Sequence, residues 1–156
     1  MVALTTEGLV FTWGEGKKGQ LGHGQVFGYS YQHVFITCLK YTCLTYSQVE
    51  NWRSRPTCVE ALKGKAITRV AAGNGFSVFA SDNGIVMTCG DGSFGALGHG
   101  DWNSSARPML IEQLLSVDVV GVGAGTEHVV VVGGQGDVYA WGRGQGGFLI
   151  PLRPYC

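Results

Sequence analysis

The feature that most limits what this chain can fold into is its resemblance to itself. The segments WGEGKKGQLGHG from Trp13, CGDGSFGALGHG from Cys89 and WGRGQGG from Trp141 align without gaps, and the last two start 52 residues apart. The same offset lays AAGNGFSVFASDNGIVMTCG from Ala71 on GAGTEHVVVVGGQGDVYAWG from Gly123, and RPTCVEAL from Arg55 on RPMLIEQL from Arg107. A period of this length, carried by three separate stretches, means stacked supersecondary units, none of which buries its apolar face alone.

Each unit reads as short strands broken by turns. Ile67 to Ala72, Ser77 to Ser81 and Ile85 to Cys89 are β-branched or aromatic-rich runs of strand length, and Asp82-Asn83-Gly84 between the last two is a hairpin signal. Val129 to Val132, Gly134-Gln135-Gly136 and Val138 to Trp141 repeat the pattern, and Thr6-Glu7-Gly8 before Leu9 to Trp13 is an earlier copy. Cys58 to Leu62 and Leu110 to Leu115 supply one further apolar run per unit, as a strand or as a turn of helix. The 26 glycines among 156 residues, with no Gly-X-Y period and only 4 prolines, exclude collagen and favour a turn-rich β chain. About four strands per unit define the blade of a radial propeller. Trp13, Cys89 and Trp141 are expected in equivalent places as anchors at the strand ends.

A hairpin ending in Trp-Gly, then G-x-x-G-x-L-G-x-G, then Arg-Pro and an apolar run, resembles the RCC1 repeat. The wording WGEGKKGQLGHG, WRSRPTCVEALKGK, FSVFASDNGIVMTCGDG and LGHGDWNS resembles the RCC1-like domains carried by NIMA-related kinases. The resemblance implies an all-β fold, an incomplete RCC1-type β-propeller of antiparallel strands, with about two to three blades of a circle of about seven. On this reading residues 1–25 are a partial repeat, 50–100 and 101–147 are repeats, 26–49 are an anomalous insert and 148–156 an aberrant tail. Two raw blade faces are expected at the ends of such an arc.

The insert is identified by spacing and composition. Cys89 follows Trp13 by 76 residues rather than 52, and the excess, VFGYSYQHVFITCLKYTCLTYSQV, is tyrosine-rich where the repeats are glycine-rich. Gln25-Val26 and Gln48-Val49 echo each other, and removing one copy with the residues between restores GHGQVENWRSRP. The segment reads as retained intron or a gene-model error. Gln32, His33 and Lys40 interrupt its apolar run and argue against a membrane span. At the other end, FLIPLRPYC replaces the family continuation.

Three segments match the dinucleotide fingerprint G-x-G-x-x-G: Gly14, Gly16 and Gly19; Gly90, Gly92 and Gly95; Gly142, Gly144 and Gly147. That chemistry needs a following helix whose amides hold the pyrophosphate. In the first two segments glycines continue instead, at Gly22 and Gly24 and at Gly98 and Gly100, so all three read as turns without a cofactor. His23 and His99 occupy one repeat position, a blade apart, which favours structural roles over a shared metal; His128 reads as a packing residue at a turn where the preceding unit has Phe76. Cys38, Cys43, Cys58, Cys89 and Cys156 are odd in number and lack CxxC spacing, so they read as free thiols of a reducing compartment, cytoplasmic or nuclear.

Eleven basic and eleven acidic residues cancel, so no net field draws the chain to nucleic acid or an anionic membrane. No catalytic set has a recognisable context, and the kinase signatures VAIK, HRD and DFG are missing from the sequence. The expectation is a non-enzymatic, protein-binding regulatory module with no small-molecule substrate. The resemblance implies the regulatory propeller of a mitotic NIMA-related serine/threonine kinase, acting on a kinase domain in cis. The alternatives are an exchange factor for a small nuclear GTPase and the substrate-binding propeller of a HECT-type ubiquitin ligase. The sequence assigns partner binding to no particular loop.

Overall fold

The structure, a computed structural model, describes residues 1–24, 52–144 and 149–155, with only the backbone course at 52–54 and 149–155. The insert at 26–49 lies outside the described residues, apart from what precedes and follows it. The strands are β1 (Val2–Leu4), β2 (Val10–Glu15), β3 (Trp52–Cys58), β4 (Ile67–Ala72), β5 (Phe76–Ser81), β6 (Val86–Gly90), β7 (Ser105–Leu110), β8 (Val119–Ala124), β9 (His128–Gly133), β10 (Val138–Arg143) and β11 (Leu149–Tyr155). They form three antiparallel sheets, β1-β2-β3, β4-β5-β6-β7 and β8-β9-β10-β11, each a run of sequence neighbours. The runs left open as strand or helix end in single 3-10 turns at Glu60–Leu62 and Glu112–Leu114, which bury Leu62 and Leu114.

Sheet boundaries do not follow the repeat boundaries. The second sheet runs from Ile67 to Leu110 and so takes its last strand from the Arg-Pro segment that opens the next repeat. Such a frame shift ties each repeat covalently to two sheets. β3, β7 and β11 each contain an Arg-Pro pair, at 55–56, 107–108 and 153–154, and each lies at a sheet edge. Proline cannot donate to a ladder, so the edge is where it is tolerated.

Two apolar layers hold the sheets together. Val2, Val10, Val59 and Leu62 of the first unit pack with Ile67, Phe79, Met87 and Cys89 of the second. The other face of the second sheet, with Val78, Ala80 and Val86, packs against Val129, Val131 and Trp141 of the third. β5 and β6 are therefore buried on both faces, which is why FSVFAS and VMTCG show no alternation of apolar and polar residues.

Candidate protein-interaction face

The Trp-Gly signature marks a β-bulge. The ladder slips between Thr12 and Gly14, between Thr88 and Gly90 and between Ala140 and Gly142, so the residue skipped is Trp13, Cys89 or Trp141. The glycine that follows has φ of 101°, 118° and 101° respectively, a region that side chains disfavour. The bulge aims the skipped side chain at the neighbouring sheet. Trp141 is 2% exposed and its Nε1 donates to the Ala96 carbonyl at 2.9 Å. Cys89 faces the equivalent carbonyl of Gln20 at 3.6 Å, and Ser77 Oγ donates to that oxygen at 2.8 Å. Complete burial pushes the Cys89 thiol far above its ordinary range, so it is a packing group and not a nucleophile. Trp13 holds the equivalent place at its bulge but not the equivalent burial. It is only half-buried, because among the described residues no sheet covers its face.

The histidines are latches within single sheets. Thr12 Oγ1 donates to the Leu21 carbonyl at 2.7 Å and lies 2.9 Å from His23 Nε2; Thr88 Oγ1 donates to the Leu97 carbonyl at 2.7 Å and lies 3.0 Å from His99 Nε2. The single hydroxyl proton goes to the carbonyl, so Nε2–H must be the donor to the threonine oxygen. His128 is exposed, with its ring stacked over Gly125, in place of the buried Phe76 that covers Gly73 in the preceding unit.

Partial burial lowers the His99 pKa, opposed by the Asp101 and Glu112 carboxylates. The folded chain therefore resists a proton that the unfolded chain accepts near pH 6.5, so stability is constant above that pH and falls as acidification proceeds towards the folded pKa. Comparing urea midpoints at pH 7.5 and 5.5 should show a smaller acid loss in His99→Gln, which keeps a donor for Thr88, than in the parent.

Of the fingerprint glycines, Gly14, Gly90 and Gly142 sit at the bulges within strands, and Gly19 and Gly95 in the turns that follow. Gly95, Gly98 and Gly100 have φ of 71°, 77° and 84°, and the segment from Ser93 to Gly95 is one 3-10 turn before β7. Among the described residues no α-helix occurs, after Gly19 and Gly95 or elsewhere.

These turns gather at one end of the sheets with the turns at 73–75 and 125–127. The loops from adjacent sheets clasp there in two chemistries. Lys18 pairs with the Asp91 carboxylate across the first junction. At the corresponding positions across the second, the Arg143 guanidinium lies 4.5 Å from the centre of the Phe94 ring and 3.2 Å from the Glu127 carboxylate. Burial alone would raise the Asp91 pKa, but Lys18 and the Ser93 hydroxyl and amide hold the carboxyl below its usual range. A shallow cleft of about 120 Å³, bordered by Lys18, Asn74, Asp91, Phe94 and Glu127, lies between the clasps.

The same end displays large aromatics that the sequence reading did not single out. Trp102 is 63% exposed and Phe94 37% exposed. Asp101 accepts from the Asn103 amide at 3.0 Å and from its side chain at 2.7 Å, which makes Trp102 the apex of a tight turn. Gly92 abuts the Asn103 carbonyl and donates to Ser104 Oγ at 3.1 Å, so the two limbs of the 91–104 loop are joined and carry both aromatics at one end. Phe94 takes φ of 60° at a non-glycine residue, a strained backbone that this packing must maintain. The signal in the sequence was a tryptophan set among turn-forming residues in DWNS, where burial has no use for it.

The family model for the regulator of chromosome condensation (RCC1) repeat matches residues 7–80 and 83–132, and a second RCC1-repeat model matches 67–96. The chain belongs to the RCC1-repeat family, and its fold is that of an RCC1-type β-propeller fragment. It is 35% identical over 144 residues to the human E3 ubiquitin-protein ligase HERC2, covering 91% of this chain and 2% of the ligase. To the serine/threonine-protein kinase Nek8 of Danio rerio it is 41% identical over 91 residues, covering 58% of this chain and 13% of the kinase. To the ultraviolet-B receptor UVR8 of Arabidopsis thaliana it is 32% identical over 149 residues, covering 95% of this chain and 28% of the receptor. Among solved structures, human WBSCR16 superposes with a TM-score of 0.73 at 22% identity, over 98% of this chain and 36% of that one. Prp20p of Saccharomyces cerevisiae gives 0.69 at 21%, over 97% and 34%. The chain thus spans a small part of each relative. The repeat is a binding fold, and enzymes among the relatives contain it as one part. No helix among the described residues is long and apolar enough to cross a membrane.

Proposed function

We propose that this chain is a protein-interaction module that regulates a larger assembly, and that the loop end bearing Trp102 and Phe94 makes the contact. The observation that carries the reading is the exposure of two aromatics on one braced loop of a binding fold. Exposed, pre-positioned tryptophan is the residue type most enriched among side chains that dominate binding energy. The paired charges around it, Lys18 with Asp91 and Arg143 with Glu127, form a polar rim without strong net sign.

The parent we propose is a NIMA-related serine/threonine kinase restrained by its propeller, a reading supported by the 41% identity to Nek8. ATP and magnesium then belong to the kinase domain and not to these repeats. A second reading, substrate capture for a ubiquitin ligase, is favoured by the longer match to HERC2, over 91% of this chain. Guanine-nucleotide exchange has support from the 34% identity to the bovine secretion-regulating exchange factor.

The experiment is crosslinking and mass spectrometry in cells with the parent chain, the double variant Phe94→Ala/Trp102→Ala, and Leu115→Ala at the opposite end of the sheets. Direct partners should be lost, with affinity reduced more than tenfold, in the double variant and kept by Leu115→Ala. Identical partner sets in all three would overturn the assignment of the face. A kinase or a ubiquitin ligase among the partners that are lost decides between the two parents.

A further inference from the structure

Asparagine precedes glycine twice in this chain, at Asn74-Gly75 and at Asn83-Gly84. The pair is chemically labile, because glycine has no side chain to keep its amide nitrogen away from the asparagine carboxamide. Both asparagines are exposed and both glycines have positive φ, 86° and 79°. The fold treats the two pairs differently.

Asn83 is held in the hairpin turn between β5 and β6. Ser81 Oγ donates to Asn83 Oδ1, and the Gly84 amide donates to the Ser81 carbonyl at 3.2 Å. Gly84 is also enclosed by backbone, since a Cβ there would stand 2.8 Å from the Val117 carbonyl oxygen. Reaction of the Gly84 nitrogen with the Asn83 carboxamide must break both hydrogen bonds first. In the turn between β4 and β5 neither restraint exists. Among the described residues the Asn74 carboxamide has no hydrogen-bond partner, and the Gly75 amide donates to none. What lies over Gly75 is the flexible chain of Lys18. Asn74 borders the cleft between the second and third sheets, so its side chain has water on one side.

We infer that Asn74 is a site of spontaneous modification, at which the loop end acquires a carboxylate. The Gly75 nitrogen attacks Asn74 Cγ, forming a C–N bond as the Cγ–Nδ2 bond breaks, and the Gly75 amide proton leaves with the side-chain nitrogen as ammonia. Water then opens the cyclic imide at either carbonyl, giving aspartate or isoaspartate without oxidant or cofactor. Isoaspartate lengthens the main chain by one methylene. The extra atom falls between two contacts that hold the loop, the Asn74 amide on the Thr126 carbonyl at 2.9 Å and the Gly75 carbonyl on the Asp91 amide at 2.8 Å. The new carboxylate joins Asp91 and Glu127 on the border of the cleft. The loop contact between the second and third sheets therefore slackens with age. The reaction involves neither Trp102 nor Phe94 and stands apart from the reading of the interaction face.

The test ages the 156-residue chain at neutral pH in heavy-oxygen water. Mass spectrometry with electron-transfer fragmentation then locates the label and separates isoaspartate from aspartate. Asn74 should take up labelled oxygen at least about tenfold faster than Asn83, the rate equivalent of the hydrogen bonds that restrain Asn83. In guanidinium chloride the two rates should converge. Asn74→Gln, whose larger ring closes far more slowly, should lose the label at that position while circular dichroism shows the fold retained. The aged parent should lose hydrogen-exchange protection at the Asp91 amide, and the aged Asn74→Gln chain should keep it. Equal rates at the two asparagines in the folded chain, a rate ratio unchanged by denaturant, or an aged parent with its Asp91 protection intact would each overturn the inference.

Discussion

Replacing Trp141 by alanine is expected to lower unfolding free energy by about 3–5 kcal/mol, enough to unfold a chain of ordinary marginal stability. The side chain is 2% exposed, in the layer between the second and third sheets, where it touches the loop that carries Ala96 and Gly98. A buried indole removes roughly 150–250 Å² from water, so area dominates the loss. Trp141→Phe separates the terms. It retains most of the apolar contact but leaves the Ala96 carbonyl without its donor, for a cost of about 1–3 kcal/mol. Urea denaturation of the two variants should show the alanine change costing clearly more; equal losses would mean that the hydrogen bond and not the packing governs the site.

The second large effect concerns three glycines that look alike in sequence. At Gly90 a Cβ would stand 2.3 Å from the Gly75 carbonyl oxygen and 2.5 Å from Phe76 Cα, with φ at 118°, so Gly90→Ala must move a buried strand as well as strain a dihedral. At Gly64, with φ of 73°, nothing lies within 4 Å, so the substitution meets the dihedral cost alone. At Gly123 neither obstacle exists. The strained dihedral costs about 1–2 kcal/mol, whereas a compatible glycine-to-alanine change stabilises by about 0.4–1 kcal/mol through the unfolded chain. The expected order of thermal stability is Gly123→Ala, then parent, then Gly64→Ala, with Gly90→Ala lowest or unfolded. A folded Gly90→Ala with parental stability would show that the bulge can relax.

The strands were legible because their causes are local. The Ile67–Ala72 strand coincides with its expected bounds, and the hairpin turn at Asp82-Asn83-Gly84 falls between β5 and β6 as its composition requires. What sequence could not supply were properties that depend on a neighbouring sheet. Trp13 and Trp141 share a motif, yet among the described residues Trp141 is buried in the layer against the second sheet and Trp13 is half-buried. His128 and Phe76 share a position, yet the histidine stays in solvent. Cys89 stands where the other units have tryptophan because Ser77 donates to the Gln20 carbonyl in its place, a pairing across 57 residues that no local window contains. Phe94 and Trp102 carry no catalytic signature, because a binding face is made from apolar side chains that no reactive motif marks.

The unequal chemistry of the two clasps gives the arc a seam. One junction is fastened by an ammonium against a carboxylate, backed by a hydroxyl and a thiol; the other by a guanidinium on an aromatic ring, backed by an indole. Ionic strength screens the first fastening far more than the second. Salt therefore removes at most about 1 kcal/mol from the first junction and less from the second, while the apolar layers keep both closed: a molecule built from copies of one motif answers to ionic strength unevenly along its length.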